Sequence, residues 1–275
     1  MKAKLYLVGT PIGNLGDLSP RALETLKNVD FIAAEDTRVS LKLLRHFEIK
    51  KTLISYHEHN KLSSGDIILE KILSGENCAL VTDAGMPCIS DPGTELVKLC
   101  HEHGIEVLSV PGPSALISAL SLSGLPSGSF VFEGFLPAKK GERKARLSAL
   151  KAEKRTVVLY EAPHKLRNSL RDIYDILGDR EISVSRELTK LHEETLRGRV
   201  SDFISKYEEE EPRGEFVLVL AAAETYDENR MSEDEALKLV FAYREQGLSL
   251  KEAAKLASLG SGYSKNELYA LATKK

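Results

Sequence analysis

Short apolar runs alternate with amphipathic stretches along the first half of the chain. The runs are LYLVG (5–9), FIAAED (31–36), LISYH (53–57), CALVTD (78–83) and IEVLSV (105–110), with helical patterns near 20–28, 38–46, 62–73 and 93–103. Strands that alternate with helices in this way form a mainly parallel sheet with helices on both faces. A last helix over about 114–123 is predicted to end at Gly124, because glycine is favoured just after a helix C-terminus.

A second set of apolar runs predicts a second sheet-and-helix domain. The runs are FVFEGF (130–135), TVVLYE (156–161), EISVSREL (181–188) and EFVLVLAAA (215–223), with helical stretches between them. The composition changes again at TYDENRM (225–231). We therefore expect an α/β protein with an N-terminal α/β domain at 1–124, a C-terminal α/β domain at 125–225 and a small helical tail at 230–275.

Three capping-box signals follow one another in the tail. SEDE (232–235), SLKE (249–252) and SKNE (264–267) each place a serine at the N-cap and a glutamate three residues later. In this motif each side chain accepts a hydrogen bond from the other residue's backbone N–H, so three short helices are predicted. Residues 252–272 resemble a helix-turn-helix pair, a pattern that fits either nucleic-acid binding or plain packing.

The composition is typical of an ordinary globular protein. Of the 275 residues, 42% are hydrophobic and 29% are charged. No window reaches the roughly 18 apolar residues of a membrane span, and the N-terminus has no signal-peptide pattern, so we expect a cytoplasmic protein that does not enter membranes. Cys78, Cys88 and Cys100 lack the spacing of a zinc site, which indicates buried thiols and no cysteine-bound metal.

Positive charge is concentrated in one segment although the formal net charge is −3. Between 139 and 171 the chain has eleven Lys or Arg and three Glu. Such a run is either a solvated helix face or the footprint of a polyanion, whose phosphates lysine and arginine neutralise.

The loop VGTPIGNLGDLSPRA (8–22) is rich in glycine but fits neither common phosphate motif. A dinucleotide fingerprint needs glycine where Pro11 stands, and a P-loop needs a lysine that this loop lacks. Proline removes an N–H donor and fixes φ, so the loop is predicted to form a rigid wall. A turn without a chemical role is the alternative interpretation.

Two further loops follow predicted strands at the same edge of the sheet. VTDAGMPCISDPG (81–93) offers Asp83 to a ribose or a cationic group, and VPGPSALISALS (110–121) offers a helix start of small residues that a flat ring could approach. Ordinary turn chemistry explains each loop alone, but not three such loops where open α/β sheets bind ligands.

Other chemistries have little support in the sequence. The pairs His57/His59 and His101/His103 lack a third ligand at suitable spacing, so no metal site is predicted. No Gly-x-Ser-x-Gly motif is present, which argues against hydrolase chemistry.

Eight motifs in one order resemble a known family. They are VGTPIGNLGDLSPRA, EDTR, YHEHN, VTDAGMPCISDPG, VPGPSAL, FEGFLP, YEAPHKL and RELTKLHEETLRG. Together they resemble the ribosomal RNA methyltransferases of the tetrapyrrole methylase-type class, and the similarity extends from about residue 4 through the tail. The resemblance implies two α/β domains with S-adenosyl-L-methionine in the cleft between them, usually in a homodimer. It also implies 2′-O-methylation of a cytidine ribose in the decoding region of 16S ribosomal RNA, presented as free RNA or as the small ribosomal subunit.

The resemblance also implies a set of cofactor-binding residues: Pro11, Asp83, Gly85, Met86, Ser114, Ala115, Tyr160 and Leu188. From the residues themselves, a general base within about 3 Å of the 2′-oxygen is sought on loops that face the cleft. Glu35, Asp36 and His57 are the candidates. Phosphate contacts or stacking on a splayed base are expected of Arg38, Arg143, Lys144, Arg146, His164, Arg167 and Arg186.

Three other functions stay open at this point. A small-molecule methylase of the tetrapyrrole type would share the fold, although the basic segment and the tail argue against it. A nucleic-acid-binding protein without catalysis would use the helix-turn-helix-like tail. An NAD-dependent oxidoreductase is suggested only by Asp36, which lies twenty residues beyond Gly16.

Overall fold

The chain forms two compact units. The computed structural model describes residues 2–223 and 231–273, and the units comprise Met1–Ala223 and Glu224–Lys275. The expected domain limits at 225, 230 and 275 lie outside the described residues.

The first half of unit 1 folds into a parallel five-stranded sheet, which confirms the predicted α/β class. Its strand order is β3-β2-β4-β1-β5, and every strand pair is parallel. The strands are β1 (Lys4–Val8), β2 (Phe31–Ala34), β3 (Thr52–Ser55), β4 (Cys78–Val81) and β5 (Glu106–Val110). The helices are α1 (Pro20–Asn28), α2 (Thr37–His46), α3 (Lys61–Leu73), α4 (Thr94–Glu102) and α5 (Ala115–Ser123).

Hydrophobic clusters cover both faces of this sheet. One contains Leu5, Phe31 and Leu80, and the other contains Val8 and Ile32. β2 and β4 are buried at every position, as expected of strands with helices on both sides. The carboxyl ends of these parallel strands meet at one edge, so the loops after β1, β2, β4 and β5 come together there.

The second half of unit 1 forms a mixed sheet in the order β6-β7-β10-β8-β9. β6 is parallel to β7, whereas β10 is antiparallel to both β7 and β8, and β9 is antiparallel to β8. The elements are β6 (Phe130–Phe135), α6 (Lys140–Ala149), β7 (Thr156–Glu161), α7 (Pro163–Leu177), β8 (Glu181–Arg186), β9 (Glu194–Arg199), α8 (Val200–Glu209) and β10 (Phe216–Leu220). The sequence analysis missed β9, since the charged segment ETLRGR has no apolar face typical of a strand.

The two faces of the second sheet pack differently. α6, α7 and α8 contribute to a core on one face that includes Leu147, Leu166 and Phe203. On the other face Leu116 and Leu120 of α5 pack with side chains of β7 and β10. The expected boundary at 124/125 thus falls just after a helix that packs against the second sheet, and α5 ends at Gly124 as predicted.

Unit 2 contains the three helices that the capping boxes predict. They are α9 (Glu233–Glu245), α10 (Leu250–Ala257) and α11 (Lys265–Thr273). Each box is formed; in the third, Ser264 N donates to Glu267 Oε2 at 2.7 Å and Glu267 N donates to Ser264 Oγ at 3.2 Å. Leu237, Val240 and Leu268 contribute to a small core within this unit. Over 2–223 and 231–273, no helix combines the length and apolar character that crossing a membrane requires.

The cysteines are free thiols. Cys78 and Cys100 are buried as expected, whereas Cys88 is only half-buried, because it lies in the loop after β4 and not on a strand or helix.

Candidate functional site

A cavity of about 550 Å³ lies where the carboxyl edge of the first sheet faces the second sheet. This volume is within the range of small-molecule sites. The first half of the chain contributes Ile12, Glu35, Asp83, Ala84, Gly85, Met86, Ile89, Ser90, Asp91, Ser114 and Ala115 to its lining; the second half contributes Phe135, Tyr160, Glu161, Ala162, Pro163, His164, Leu188, Glu215, Phe216 and Val217.

Backbone hydrogen bonds join the loops that form the cavity wall. Gly9 N donates to Val110 O at 3.1 Å, which joins the ends of β1 and β5. Thr10 and Gly85 exchange two N–H···O bonds of 2.9 and 3.1 Å, which join the loops after β1 and β4. The wall is therefore a connected backbone structure and does not depend on side-chain contacts alone.

Two glycines make the closest approach within this wall. A Cβ added to Gly112 would lie 2.7 Å from the Cα of Gly9, and one added to Gly9 would lie 2.6 Å from the Cα of Gly112. Both contacts are with backbone atoms, which cannot move aside as a side-chain tip can. The approach of the β1 and β5 loops thus requires glycine on both sides.

Both halves of unit 1 contribute acidic residues to the cavity. Glu35, Asp83, Asp91, Glu161 and Glu215 line it, and among the described residues no lysine or arginine does. No group of three or more His, Cys, Asp or Glu side chains is arranged to hold a metal ion in the ranges 2–223 and 231–273. An acidic cavity without lysine or arginine favours a cationic ligand and disfavours a polyphosphate.

Burial and neighbouring charges raise the pKa values of two of these carboxyl groups. Loss of solvent, with repulsion from Glu35, raises the pKa of Asp91 to about 7. Loss of solvent also raises the pKa of Asp83, against a hydrogen bond of 3.1 Å from Asp36 N to its Oδ1. The Thr82 hydroxyl donates to Glu35 Oε2 at 2.6 Å. A carboxyl group that lines a cavity and has a pKa near 7 is a candidate acid or base.

Apolar residues from both halves of unit 1 form another part of the cavity lining. Ile12, Leu188 and Val217 are buried there, next to Ala115 and Tyr160. The Tyr160 hydroxyl accepts a hydrogen bond of 3.1 Å from Leu116 N in the first turn of α5, and burial raises the pKa of this hydroxyl. An apolar surface of this kind suits a flat ring.

The structure brings most of the expected cofactor residues together. The cavity is lined by Asp83, Gly85, Met86, Ser114, Ala115, Tyr160 and Leu188. Pro11 does not line it; its neighbour Ile12 does. The sequence analysis missed Glu215, Phe216 and Val217, since their position depends on β10 pairing with β7 so that Phe216 lies opposite Glu161.

Of the three candidate bases, Glu35 alone lines the cavity. Asp36 caps α2 and pairs with Arg38 at 2.6 Å, and these hydrogen bonds lower its pKa to about 2, so it is a poor base. The His57 ring contacts His59 outside the cavity lining. Asp91, which the sequence analysis quoted only as part of a turn motif, is the carboxyl group that the structure adds.

The expected RNA-contacting cations have different positions. His164 lies on the cavity rim, Arg38 is exposed beside Asp36, and Arg186 is half-buried near Glu194. Lys144 and Arg146 lie on the outer surface of α6, where Arg146 pairs with Glu133.

One of these expectations is wrong in the structure. Arg143 is buried and pairs with Asp172 at 2.7 Å, so its guanidinium is not available to phosphates. Arg167 is exposed, and it donates to the carbonyls of Tyr207 and Glu210 at the C-terminal end of α8.

Comparison with known proteins identifies the family of this chain. A family model for the tetrapyrrole (corrin/porphyrin) methylases matches residues 4–204. The chain belongs to this family. The class resemblance found in the sequence is therefore confirmed.

Within the tetrapyrrole methylases, similar proteins with curated names are ribosomal RNA small subunit methyltransferases I. The protein from Synechocystis sp. is 48% identical over 268 residues, which is 97% of this chain and 96% of that protein. The one from Bacillus subtilis is 48% identical over 269 residues, or 96% and 92%. Among solved structures, uroporphyrin-III C-methyltransferase from Thermus thermophilus, crystallised with S-adenosylhomocysteine, has the same fold, with a TM-score of 0.56 at 18% identity over 80% of this chain and 97% of its own.

Proposed function

We propose that this protein transfers a methyl group from S-adenosyl-L-methionine to the 2′-oxygen of a cytidine ribose in 16S ribosomal RNA. The observation that supports it best is the cavity lined by five carboxyl groups and, among described residues, no lysine or arginine. A sulfonium and an ammonium group match this charge, whereas a nicotinamide dinucleotide has a pyrophosphate that it would repel. The curated relatives supply the substrate class.

The residues of the cavity fit a nucleoside with a positively charged tail. Ile12, Ala115 and Leu188 offer apolar contact to a flat ring, with Tyr160 and Val217 behind it. Asp83 is the acceptor for a ribose hydroxyl or the ammonium group, and Gly85 with Met86 brings backbone close to the ligand. Pro11 keeps its proposed role as a rigid support for Ile12.

Replacing Asp83 by alanine is expected to weaken cofactor binding by about 10- to 100-fold, the usual cost of losing a charged hydrogen-bond partner. Titration calorimetry with S-adenosyl-L-methionine measures this change. The control is Asp17→Ala, which removes an exposed acid of the neighbouring loop and should leave binding unchanged. If Asp83→Ala and wild type bind S-adenosyl-L-methionine with equal affinity, Asp83 is not a cofactor-binding residue.

S-adenosyl-L-methionine supplies a methyl carbon on positively charged sulfur, so the RNA hydroxyl oxygen gains the methyl, the carbon–sulfur bond breaks and one proton is released. We assign Asp91 to accept that proton. It lines the cavity, and it is half ionised near pH 7. Glu35, the neighbouring carboxylate, accepts a hydrogen bond from the Thr82 hydroxyl and is thereby held in place.

Asp91→Asn is expected to lower kcat by about 100-fold or more, the contribution typical of a general base. In the wild type, kcat/KM should rise with pH up to about 7 and then level off, because only the ionised carboxyl accepts a proton. Single-turnover rates between pH 5.5 and 8.5 test this.

Folding stability supplies an independent check on the same group. A raised pKa means that folding disfavours the ionised form, so the free energy of unfolding falls as pH rises from about 4 to about 7. Asp91→Asn should therefore be more stable than wild type by about 1–2 kcal/mol at pH 8, less than the full shift because solvent still screens this half-buried group, and no more stable at pH 4. A pH profile identical to wild type in both measurements would contradict the assignment.

We further propose how the rest of the chain serves this reaction. Residues 1–124 and 125–225 act as two lobes around the cavity, and 230–275 forms a separate helical module. Arg38, Lys144, Arg146, His164 and Arg186 are assigned to the RNA. The homodimer and the cytoplasmic location remain part of this proposal. Exposed apolar side chains on α3, among them Leu62 with 77% of its surface exposed, are the candidates for the surface that a second copy would cover.

The deciding experiment incubates small ribosomal subunits, or free 16S RNA, with S-adenosyl-L-methionine labelled in its methyl group. Label at one cytidine 2′-oxygen of the decoding region is the expected result. Label on a uroporphyrinogen or precorrin added in parallel, with none on RNA, would favour a small-molecule methylase instead. Comparison of subunits with free RNA identifies the form of the substrate.

A further inference from the structure

Phe135 is a large aromatic side chain that the fold leaves uncovered at the cavity. It is the last residue of β6, it lines the cavity, and 55% of its surface is exposed. The apolar residues of the cofactor side, such as Ile12 and Leu188, are buried. Phe135 thus differs from the cofactor wall in being open to a ligand that arrives from solvent.

A bulge in β6 determines where this ring points. Phe132 pairs with Val158 and Phe135 pairs with Tyr160. Phe135 thus lies three positions after Phe132 on β6, whereas Tyr160 lies only two positions after Val158 on β7. In a regular strand, residues three apart point to opposite faces. The extra residue reverses that alternation, so Phe132 and Phe135 lie on the same face, which is the face of the cavity.

Ring contacts agree with this geometry. The Phe132 and Phe135 rings both meet Tyr160 edge-on, with centroids 5.0 and 5.5 Å away. Gly134, at the bulge, has φ +64°, and a Cβ there would lie 2.9 Å from Ser90 Oγ. The end of β6 therefore lies directly against the loop that contains Asp91.

The Phe135 ring contacts the Tyr160 ring and keeps more than half of its surface exposed. Tyr160 is itself fixed by the hydrogen bond from Leu116 N. His164, one of the residues assigned to RNA, lines the same cavity from the N-terminal turn of α7. A fixed, exposed aromatic ring is the feature on which proteins stack unpaired bases.

We propose that Phe135 stacks on the base of the nucleotide whose ribose is methylated, and so positions the 2′-hydroxyl at Asp91. The inference rests on the proposed function and adds the contact that holds the target nucleotide out of its helical stack. Stacking reads no hydrogen-bonding edge of the base, so Phe135 acts on the position of the ribose and not on the choice of cytosine.

The test compares Phe135→Leu with Phe135→Tyr, using labelled S-adenosyl-L-methionine and small ribosomal subunits that lack the modification. Phe135→Leu keeps apolar volume and removes the ring, and kcat/KM for the subunit is expected to fall about 10- to 100-fold. Phe135→Tyr keeps a stacking face and should retain activity close to wild type. Calorimetric affinity for S-adenosyl-L-methionine should be the same in all three proteins.

Each result has one interpretation. If the wild type is active and Phe135→Leu has the same kcat/KM, the stacking inference is overturned and the proposed function stays intact. If Phe135→Leu binds the cofactor more weakly and its KM for the subunit is unchanged, the ring belongs to the cofactor site, and the stacking inference is again overturned. No methyl transfer to RNA by wild type would instead refute the proposed function.

Discussion

Replacing Gly112 by alanine is expected to reduce S-adenosyl-L-methionine affinity by at least about 100-fold, the cost of displacing binding groups by roughly 1 Å. The new methyl group would lie 2.7, 2.8 and 2.9 Å from the Cα, C and O atoms of Gly9. Relief requires backbone movement of the loop after β5. That loop leads to Ser114, which caps α5, and to Ala115, and both line the cavity.

The same substitution should lower the free energy of unfolding by about 1–3 kcal/mol, the usual cost of overpacking. The sheet itself does not depend on the contact, because β1 and β5 pair in full before the glycines. Circular dichroism should therefore remain native while calorimetry loses the binding signal. Both readouts are needed, since a general loss of structure would remove binding for a different reason.

Gly141→Ala is the matched control for this variant. Gly141 lies in α6, and a Cβ there would meet no heavy atom within 4 Å. Alanine is favoured over glycine within a helix, so this variant should bind normally and gain up to about 1 kcal/mol of stability. Wild-type affinity in Gly112→Ala would mean that the loops after β1 and β5 adapt freely, and would contradict a rigid cavity wall.

The parallel sheet was predictable because each of its strands is a short apolar run that is followed by a helical pattern. Parallel strands place their carboxyl ends together, so the glycine- and proline-containing loops after β1, β4 and β5 could be expected at one edge. Asp83, Ser114 and Ala115 could be selected in this way, whereas Gly85 was implied as a cofactor residue only by the family resemblance. Only the pairing order of the strands was not readable from the sequence.

The second sheet was harder to predict for reasons of topology. β10 lies between β7 and β8 in the sheet although it comes after both of them, and after β9, in the sequence. The place of Phe216 opposite Glu161 therefore follows from strand pairing and not from a local motif. β9 pairs with β8 alone, and its charged side chains are typical of an edge strand. The bulge that turns Phe135 into the cavity likewise has no sequence signal beyond Gly134.

The basic segment was interpreted too broadly. Arg143 precedes Leu147 by four residues and Leu150 by seven, and both leucines are buried, so helical periodicity placed the arginine on the inward face of α6. Many cations of the segment also have an acidic neighbour: Lys139 with Glu142, Arg155 with Glu153, and Arg171 with Glu208. Charge counting along the chain could not distinguish these pairs from free phosphate ligands.

Replacing Arg143 by methionine is expected to lower the free energy of unfolding by about 3–5 kcal/mol, because Asp172 would remain charged and buried without its main partner. In the native protein the Arg143 Nε and Nη2 atoms lie 2.8 and 2.7 Å from Asp172 Oδ2, and Nη1 donates to Ala138 O at 3.0 Å. Lys144 Nζ, 3.5 Å from Asp172 Oδ1, offsets part of the loss. Urea denaturation at pH 7.5 measures the difference.

Two companion variants separate a structural role from an RNA-binding one. Arg143→Met combined with Asp172→Leu removes both charges, so it should recover most of the lost stability. Lys139→Ala removes an exposed cation at the start of the same helix, and its exposed pair with Glu142 contributes at most about 1 kcal/mol. If the double variant is stable and methylates small subunits at the wild-type rate, Arg143 acts only on the fold. A stable single variant with weakened subunit binding would return Arg143 to the RNA surface and contradict the structural role, since a buried arginine paired with Asp172 cannot reach a phosphate.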